Sequence, residues 1–239
     1  TKPSDLNPEY SDEGYNLPDL KVNWHELPIE YGDAVEKDGQ IALFNEAAAG
    51  LKEAAQVKRE SIEQRVQTMK KIVEDSPEDH FVHDLESERH AIKKALPEVV
   101  DIYGSMDYET RENRVINFSQ GKTRLFATKK SISGSGCNFQ RYCHREIFLG
   151  IDYEFNDFIQ AIHRCYRFLQ KEPVQIDIIY MENEREIKDA LMEKWKNHDH
   201  MVEKMIEIVK KYGLSSANIE KRLERKMGVE TVRVEGKNY

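Results

Sequence analysis

Short apolar runs alternate with longer amphipathic segments between residues 80 and 182, and this alternation constrains the fold more than any other feature. Apolar runs interleaved with helical patterns are typical of strand–helix–strand units, whose strands pair in parallel and are covered on both faces. We therefore predict an α/β domain in which helices flank a parallel sheet. The predicted strands are Phe81-Val82, Val99 to Tyr103, Leu125 to Ala127, Ile147 to Leu149 and Ile176 to Tyr180.

Further elements precede, separate and follow these runs. The segment from Leu20 to Trp24 alternates apolar and polar residues, which predicts a first strand that stops at Pro28. Elsewhere apolar residues recur at spacings of three and four, as on one face of an amphipathic helix. The predicted helices cover residues 41–73, 86–96, 108–119, 154–170, 184–212 and 216–227.

These patterns divide the chain into an acidic N-terminal segment at 1–19, an α/β domain at 20–182 and a C-terminal helical extension at 183–239. We interpret residues 40–75 as a helical insertion within the α/β domain. The net charge is −8, but residues 121–150 carry six lysines and arginines against a single glutamate. A basic segment in an acidic protein is either a surface that faces phosphates or a solvated edge, and charge alone leaves both readings open.

Composition and residue spacing argue against disulfide bonds, a zinc site and a membrane-spanning helix. Three cysteines, an odd number, argue against a disulfide framework, and their spacing to histidines matches no zinc pattern. No stretch approaches the roughly 18 apolar residues that a membrane-spanning helix needs. We expect a reduced, cytoplasmic protein with no metal site and no membrane contact. We interpret the cysteines as small buried thiols and three histidines as surface or strand-end residues; these are Cys137, Cys143, Cys165, His80, His83 and His90.

One segment carries the sharpest chemical signal. Gln160, Arg164 and Arg167 are spaced at i, i+4 and i+7, so the predicted helix over 154–170 would place all three on one face. Two guanidiniums on one face suit a triphosphate, because each offers a rigid fork of donors to phosphate oxygens. Ordinary surface ion pairs are the alternative interpretation.

With Gln170, these residues form the pattern QxxxRxxRxxQ, which resembles motif VI of superfamily-two helicases. The subfamilies it resembles are Swi/Snf-like translocases and phage or restriction-associated DEAD/DEAH-type helicases. Residues 128–140, with Gly134, Gly136 and Asn138, resemble motif V of the same proteins. Residues 103–118 resemble the family's segment in which a strand ends in a Gly-Ser turn before a helix. The resemblance extends over residues 80–182 and implies the C-terminal RecA-like lobe of such a helicase.

The resemblance also implies roles for individual residues. Two arginine fingers and a glutamine would act on ATP, a glycine-containing loop would contribute to cofactor binding, and a basic strand end would hold nucleic-acid phosphates. From the residues alone, the glycine loop has a purely structural alternative, and the basic strand end could simply be solvated. The implied catalytic residues are Arg164, Arg167 and Gln160; the cofactor-binding residues are Gly134, Gly136 and Asn138; the nucleic-acid-binding residues are Lys129, Lys130, Ser105 and Thr128.

The Gly121-Lys122-Thr123 sequence is not a P-loop, because such a loop needs a glycine at position 116, where this chain has Ile116. We predict instead a helix C-terminal cap and a turn. ATP and Mg²⁺ would be held mainly by the N-terminal RecA-like lobe of the same polypeptide. We therefore expect an ATP-dependent DNA helicase or translocase in the full-length protein and an inactive fragment here. The alternative is a non-catalytic, helicase-like α/β module that binds partners.

Overall fold

The computed structural model describes residues 3–6, 9–29, 51–84, 88–129 and 138–212. The chain divides into two compact units, one formed by Leu17–Leu191 and the other by Thr1–Asn16 with Met192–Tyr239. The predicted helix over 216–227 lies outside the described residues. None of the described helices is long and apolar enough to cross a membrane.

The larger unit is built on one sheet of six strands. Every pair of neighbouring strands is parallel, which confirms the predicted α/β class and its parallel sheet. The strands are β1 (Leu20–Leu27), β2 (His80–Asp84), β3 (Val100–Asp101), β4 (Leu125–Lys129), β5 (Arg145–Phe148) and β6 (Val174–Met181). Their order across the sheet is β1-β6-β5-β2-β4-β3. The third strand is shorter than predicted and lies at one edge.

Helices connect the strands. They are α1 (Pro3–Leu6), α2 (Leu51–Glu74), α3 (Arg89–Ala95), α4 (Tyr108–Ser119), α5 (Phe155–Ile162) and α6 (Arg185–Tyr212), and a 3₁₀ turn at Glu182–Glu184 leads into α6. In the smaller unit, Ser4 Oγ donates to Asp12 Oδ2 at 2.6 Å, which ties α1 to the turn that follows it.

Both ends of α4 follow from its sequence. Asp107 Oδ1 accepts a hydrogen bond from the Thr110 backbone N–H at 2.8 Å, which satisfies one unpaired donor of the first turn. Past the last turn, Gly121 adopts φ +69°, the left-handed conformation that glycine enters without steric cost. A Cβ at this position would lie 2.6 Å from Cδ1 of Tyr142. The predicted cap and turn at Gly121 are therefore confirmed.

Alternate residues of the central strands enter two cores, one on each face of the sheet. On one face, Val82 and neighbouring strand residues pack with the buried side of α2 and α3, including Met69 and Ile92. The other face holds four buried phenylalanines, which we call the aromatic cluster. Its members are Phe81, Phe118, Phe126 and Phe139, and the buried thiols of Cys143 and Cys165 pack against it.

A buried arginine fastens α2 to the core. Arg65 Nη2 donates to Glu184 Oε1 at 2.8 Å, and Nη1 donates to Glu88 Oε1 at 3.4 Å and to the Leu149 carbonyl at 3.3 Å. The guanidinium is thus shared between the starts of α3 and α6 and the end of β5. Removal of Arg65, Glu88 or Glu184 would leave a buried charge without its partner, so we expect any one of these removals to destabilise the fold.

The sequence predicts that the three histidines lie at the surface or at strand ends. His90 is exposed and His80 is the first residue of β2, as predicted, whereas His83 lies inside β2; both histidines of β2 are buried. His80 Nδ1 donates to the Glu78 carbonyl at 2.8 Å, and its Nε2 has no hydrogen-bond partner. Burial lowers the pKa of His80 to about 4, so the folded chain holds this ring neutral.

We predict that His80 accounts for part of the acid sensitivity of the fold. Between pH 6.5 and 4 the unfolded imidazole takes up a proton that the folded one excludes, so stability falls as the pH is lowered. The loss is about 3 kcal/mol, from about 1.4 kcal/mol per pKa unit. The free energy of unfolding of His80→Asn, measured by urea titration, should lack this fall, whereas the exposed control His90→Asn should retain it. Equal acid sensitivity of His80→Asn and the wild type would contradict the assignment.

Candidate functional site

The two motif arginines lie in a turn and not on a helix. Helix α5 ends at Ile162, and residues 163–170 form successive turns that lead into β6. The prediction that Gln160, Arg164 and Arg167 project from one helical face is therefore wrong. The helix stops because the Arg164 N–H bonds to Ala161, and those of Cys165 and Tyr166 bond to Ile162, a set of tight turns that bury the Cys165 side chain. We call residues 163–170 the arginine turn.

The arginine turn is hydrogen-bonded to residues 138–143, which we call the bracing segment. The Phe139 N–H donates to the Arg164 carbonyl at 3.1 Å. Gln140 Nε2 donates to the Phe168 carbonyl at 3.2 Å. These bonds bring the end of the predicted motif V next to motif VI.

Asn138 and Arg167, two of the predicted site residues, are in direct contact. Arg167 Nη1 donates to Asn138 Oδ1, and Arg167 is half-buried. Its Nε is buried and has no hydrogen-bond partner, and no carboxylate among the described residues forms an ion pair with it. A guanidinium whose main partner is a neutral amide keeps its charge and spare donors for an anion. Arg167 and the turn that carries it therefore fit a phosphate group.

Gln170 closes the arginine turn from inside. Its Nε2 donates to the carbonyls of Cys143 at 3.1 Å and Cys165 at 3.0 Å. Its Oε1 accepts from the backbone N–H groups of Lys171 at 2.9 Å and Glu172 at 3.0 Å. A single buried amide thus joins the bracing segment, the arginine turn and the chain entering β6.

Leu169 carries backbone strain within the arginine turn. Its φ is +70°, a conformation rarely adopted by residues with a Cβ, and its side chain is 37% exposed. Such strain persists only where surrounding contacts over-determine the backbone, and here they come from the bonds of Gln170 on one side and Gln140 on the other. The turn is held in one shape at an energetic cost.

A buried carboxyl lies beneath the arginine turn. Glu146 on β5 is fully buried, and its Oε2 lies 2.9 Å from His83 Nε2. Burial raises the pKa of Glu146 well above its usual range, with weaker opposing contributions from Cys165 and the charge of Arg164. Glu146 and His83 share this hydrogen bond, and burial favours the uncharged form of the carboxyl.

The remaining predicted residues lie elsewhere or outside the described part of the chain. Gln160 is exposed on α5. Ser105 is exposed after β3, and Lys129 is the last residue of β4, so both lie at the carboxyl ends of neighbouring strands. Thr128 is fully buried, which argues against the predicted direct contact with nucleic acid. Lys130, Gly134 and Gly136 lie outside the described residues, as does Cys137.

The structure therefore does not gather all predicted site residues in one place. Ser105 and Lys129 share the carboxyl edge of the sheet, whereas the arginine turn directly precedes β6 at the amino edge. The described residues hold no group of three or more His, Cys, Asp or Glu side chains placed to bind a metal ion.

Sequence reasoning missed the supports of the arginine turn. Glu146 and His83 lie in apolar strands, and Gln140 follows a glycine-rich loop, so none stood out by spacing. Polar residues inside otherwise apolar runs were the available signal, because such residues are buried only when they have partners. Gln170 was visible as the last position of the motif, but its bonding was not.

Comparisons with known proteins fit this architecture. The sequence matches no family model, and no curated protein matches it. In structure the chain is similar to the C-terminal part of the Fun30 ATPase domain, with TM-score 0.48 and 18% identity over 53% of this chain and 44% of that chain. It is also similar to DEAD-box helicase domain 2 of Mss116p bound to an RNA duplex, with TM-score 0.46 and 14% identity over 73% of this chain and 60% of that chain.

A third similar structure is the E. coli DEAD-box protein SrmB bound to regulator of ribonuclease activity A, with TM-score 0.46 and 13% identity over 54% of this chain and 78% of that chain. The chain spans less than half of the Fun30 chain and about three fifths of the Mss116p chain. These three structural neighbours are domains of ATPases and DEAD-box proteins, and each is similar to this chain at a TM-score below 0.5.

We predict that Glu146→Gln becomes more stable relative to the wild type as the pH rises. Above about pH 4.5 the unfolded carboxyl ionises while the folded one keeps its proton, so rising pH favours the unfolded wild type. Glutamine mimics the protonated acid and does not titrate. Urea unfolding from pH 5 to 9 should show the difference widening, and the exposed control Glu109→Gln should show none. A constant difference across this range would mean that Glu146 is ionised against His83.

Proposed function

We propose that this chain is the C-terminal motor lobe of an ATP-dependent DNA helicase or translocase. The observation that carries the proposal is the arginine turn, in which Arg167 is held by neutral Asn138 on a buried brace and faces no described carboxylate. Charge kept available in a rigid setting is what catalysis by electrostatic stabilisation requires. The motif VI resemblance of the same residues supports this role.

In the proposed mechanism, ATP with Mg²⁺ is held mainly by a second, N-terminal lobe and supplies the phosphoanhydride that is hydrolysed. Arg167, together with Arg164, places guanidinium donors against the phosphate oxygens as negative charge redistributes on them, the role of an arginine finger. Gln160, exposed on α5, orients the phosphates or the attacking water. Closure of the lobes brings the arginine turn to the nucleotide and excludes water.

The proposed nucleic-acid track lies at the carboxyl edge of the sheet. Lys129 and the adjacent Lys130 provide cationic charge for backbone phosphates, and the exposed Ser105 provides a hydroxyl donor. We propose DNA as the partner, from the Swi/Snf-like character of the motifs. Gly134 and Gly136 would link the track to the nucleotide, because they lie in the loop that leads to Asn138.

We predict that Arg167→Ala in the full-length, two-lobe protein lowers kcat for ATP hydrolysis by about 10³-fold or more, the scale known for arginine fingers. Binding of ATP and DNA should change much less, because the interaction is strongest in the transition state. Arg167→Lys should rescue little, since an ammonium lacks the guanidinium fork. Steady-state ATPase assays on both variants give the measurement.

The matched control is Arg141→Ala, an exposed arginine of the bracing segment that makes no contact with the turn's arginines among the described hydrogen bonds. It should retain wild-type kcat. Full turnover in Arg167→Ala, or a loss of thermal stability alone, would identify Arg167 as a structural residue and favour a non-catalytic interaction module.

We predict that the double variant Lys129→Ala with Lys130→Ala weakens DNA binding and flattens its salt dependence. For duplex DNA, the slope of log K against log salt should fall by about 0.9 for each phosphate that the variant no longer neutralises. ATPase activity without DNA should be nearly unchanged. Fluorescence anisotropy at several salt concentrations measures the slope, with the exposed pair Lys122→Ala and Lys171→Ala as the charge-matched control. Identical slopes for the two double variants would remove the proposed track.

A further inference from the structure

We propose that Gln170 is the positioning residue of the site, holding the arginine turn so that Arg167 is presented to phosphate in one fixed geometry. The inference rests on the proposed function and names a group that touches neither nucleotide nor nucleic acid. Gln170 is 5% exposed and lies three residues beyond Arg167.

The hydrogen bonds of Gln170 use both donors and the oxygen of its side-chain amide. Both donor hydrogens of Nε2 have a carbonyl acceptor, on Cys143 and Cys165, and Oε1 accepts two backbone N–H groups. A buried amide satisfied in this way can occupy its site in only one orientation. Only an amide side chain supplies two donors and two acceptors: a carboxylate would face two carbonyl oxygens, and an apolar side chain would leave the four backbone groups without these partners.

These bonds enclose Arg167 on both sides. The Cys165 carbonyl is held two residues before Arg167, and the Gln170 backbone N–H donates to the Arg167 carbonyl at 3.0 Å. The same amide reaches Cys143 in the bracing segment, five residues after Asn138, which holds the guanidinium itself. The backbone and the side chain of Arg167 are thus both held by the bracing segment and the Gln170 amide.

The strain at Leu169 gives independent support. A leucine at φ +70° returns to a relaxed conformation unless neighbouring contacts prevent it, and Leu169 directly precedes Gln170. The Gln170 amide opposes that relaxation on one side of Leu169, and the Gln140 bond to the Phe168 carbonyl opposes it on the other. Without the Gln170 amide, the turn would sample other shapes, and Arg167 would lose the pre-organisation that makes a charge effective in catalysis.

The test uses the full-length protein and the variant Gln170→Glu, which keeps the acceptors and the size of the side chain but loses both donors. We expect kcat for ATP hydrolysis to fall by about 10- to 100-fold, the scale expected for a misplacement of about 1 Å, with KM nearly unchanged. The double variant Gln170→Glu with Arg167→Ala should be no slower than Arg167→Ala alone, because Gln170 acts through Arg167.

A second readout does not depend on turnover. Hydrogen exchange of residues 163–172, followed by mass spectrometry on the chain without nucleotide, should speed up at least tenfold in Gln170→Glu and in Gln170→Met. The control is Val66→Ala, which truncates the buried face of α2 on the opposite side of the sheet and lowers global stability without contact to the turn. Its exchange in residues 163–172 should stay close to that of the wild type.

The outcomes separate this inference from the proposed function. If Arg167→Ala abolishes turnover while Gln170→Glu retains it, the positioning role is wrong and the motor function stands. Multiplicative losses in the double variant would also overturn the role, since they would show an effect that does not pass through Arg167. If Arg167→Ala remains fully active, the proposed function fails, and the positioning role falls with it even where exchange of the turn accelerates.

Discussion

The packing of Phe139 in the aromatic cluster is the contact on which the candidate site depends. Its ring centroid lies 5.0 Å from that of Phe81 and 4.9 Å from that of Phe118, both in edge-to-face geometry, so it is fixed in the densest part of the core. The backbone N–H of the same residue bonds to the Arg164 carbonyl. Because the Phe139 side chain is packed in the core, its backbone N–H holds the arginine turn at a fixed position relative to the sheet.

Because all strands are parallel, the predicted nucleic-acid-binding residues and the arginine turn lie at opposite edges of the sheet. Lys129 ends β4 and Ser105 follows β3 by four residues, both at the carboxyl edge, whereas the arginine turn lies before a strand, at the amino edge. Eight residues, 130–137, separate Lys129 from Asn138. In the proposed motor, a contact made with DNA at one edge would be linked to the arginine turn by this short stretch of chain and by the brace that follows it.

The sequence predicted most of the fold because parallel strands are buried on both faces and therefore appear in the sequence as short apolar runs. The positions of β2, β4, β5 and β6 followed from such runs, and the C-terminal end of α4 followed from Gly121. The helix over 154–170 was predicted too long, because periodicity does not reveal that Gln170 will bond to four backbone groups and bend the chain. Glu146 was likewise counted only as a charge, since its burial depends on a strand pairing far away in sequence.

The neutral partners of the arginine turn explain how a protein of net charge −8 can keep a cationic site. Burial raises the pKa of Glu146, which lies beneath the turn and shares a hydrogen bond with His83. A carboxyl whose uncharged form is favoured adds less negative charge beneath the turn. Asn138 performs the corresponding task for Arg167, because an amide oxygen orients the guanidinium without neutralising it. Arg167 thus has a neutral hydrogen-bond partner, which leaves its charge available to the phosphate that the proposed function places there.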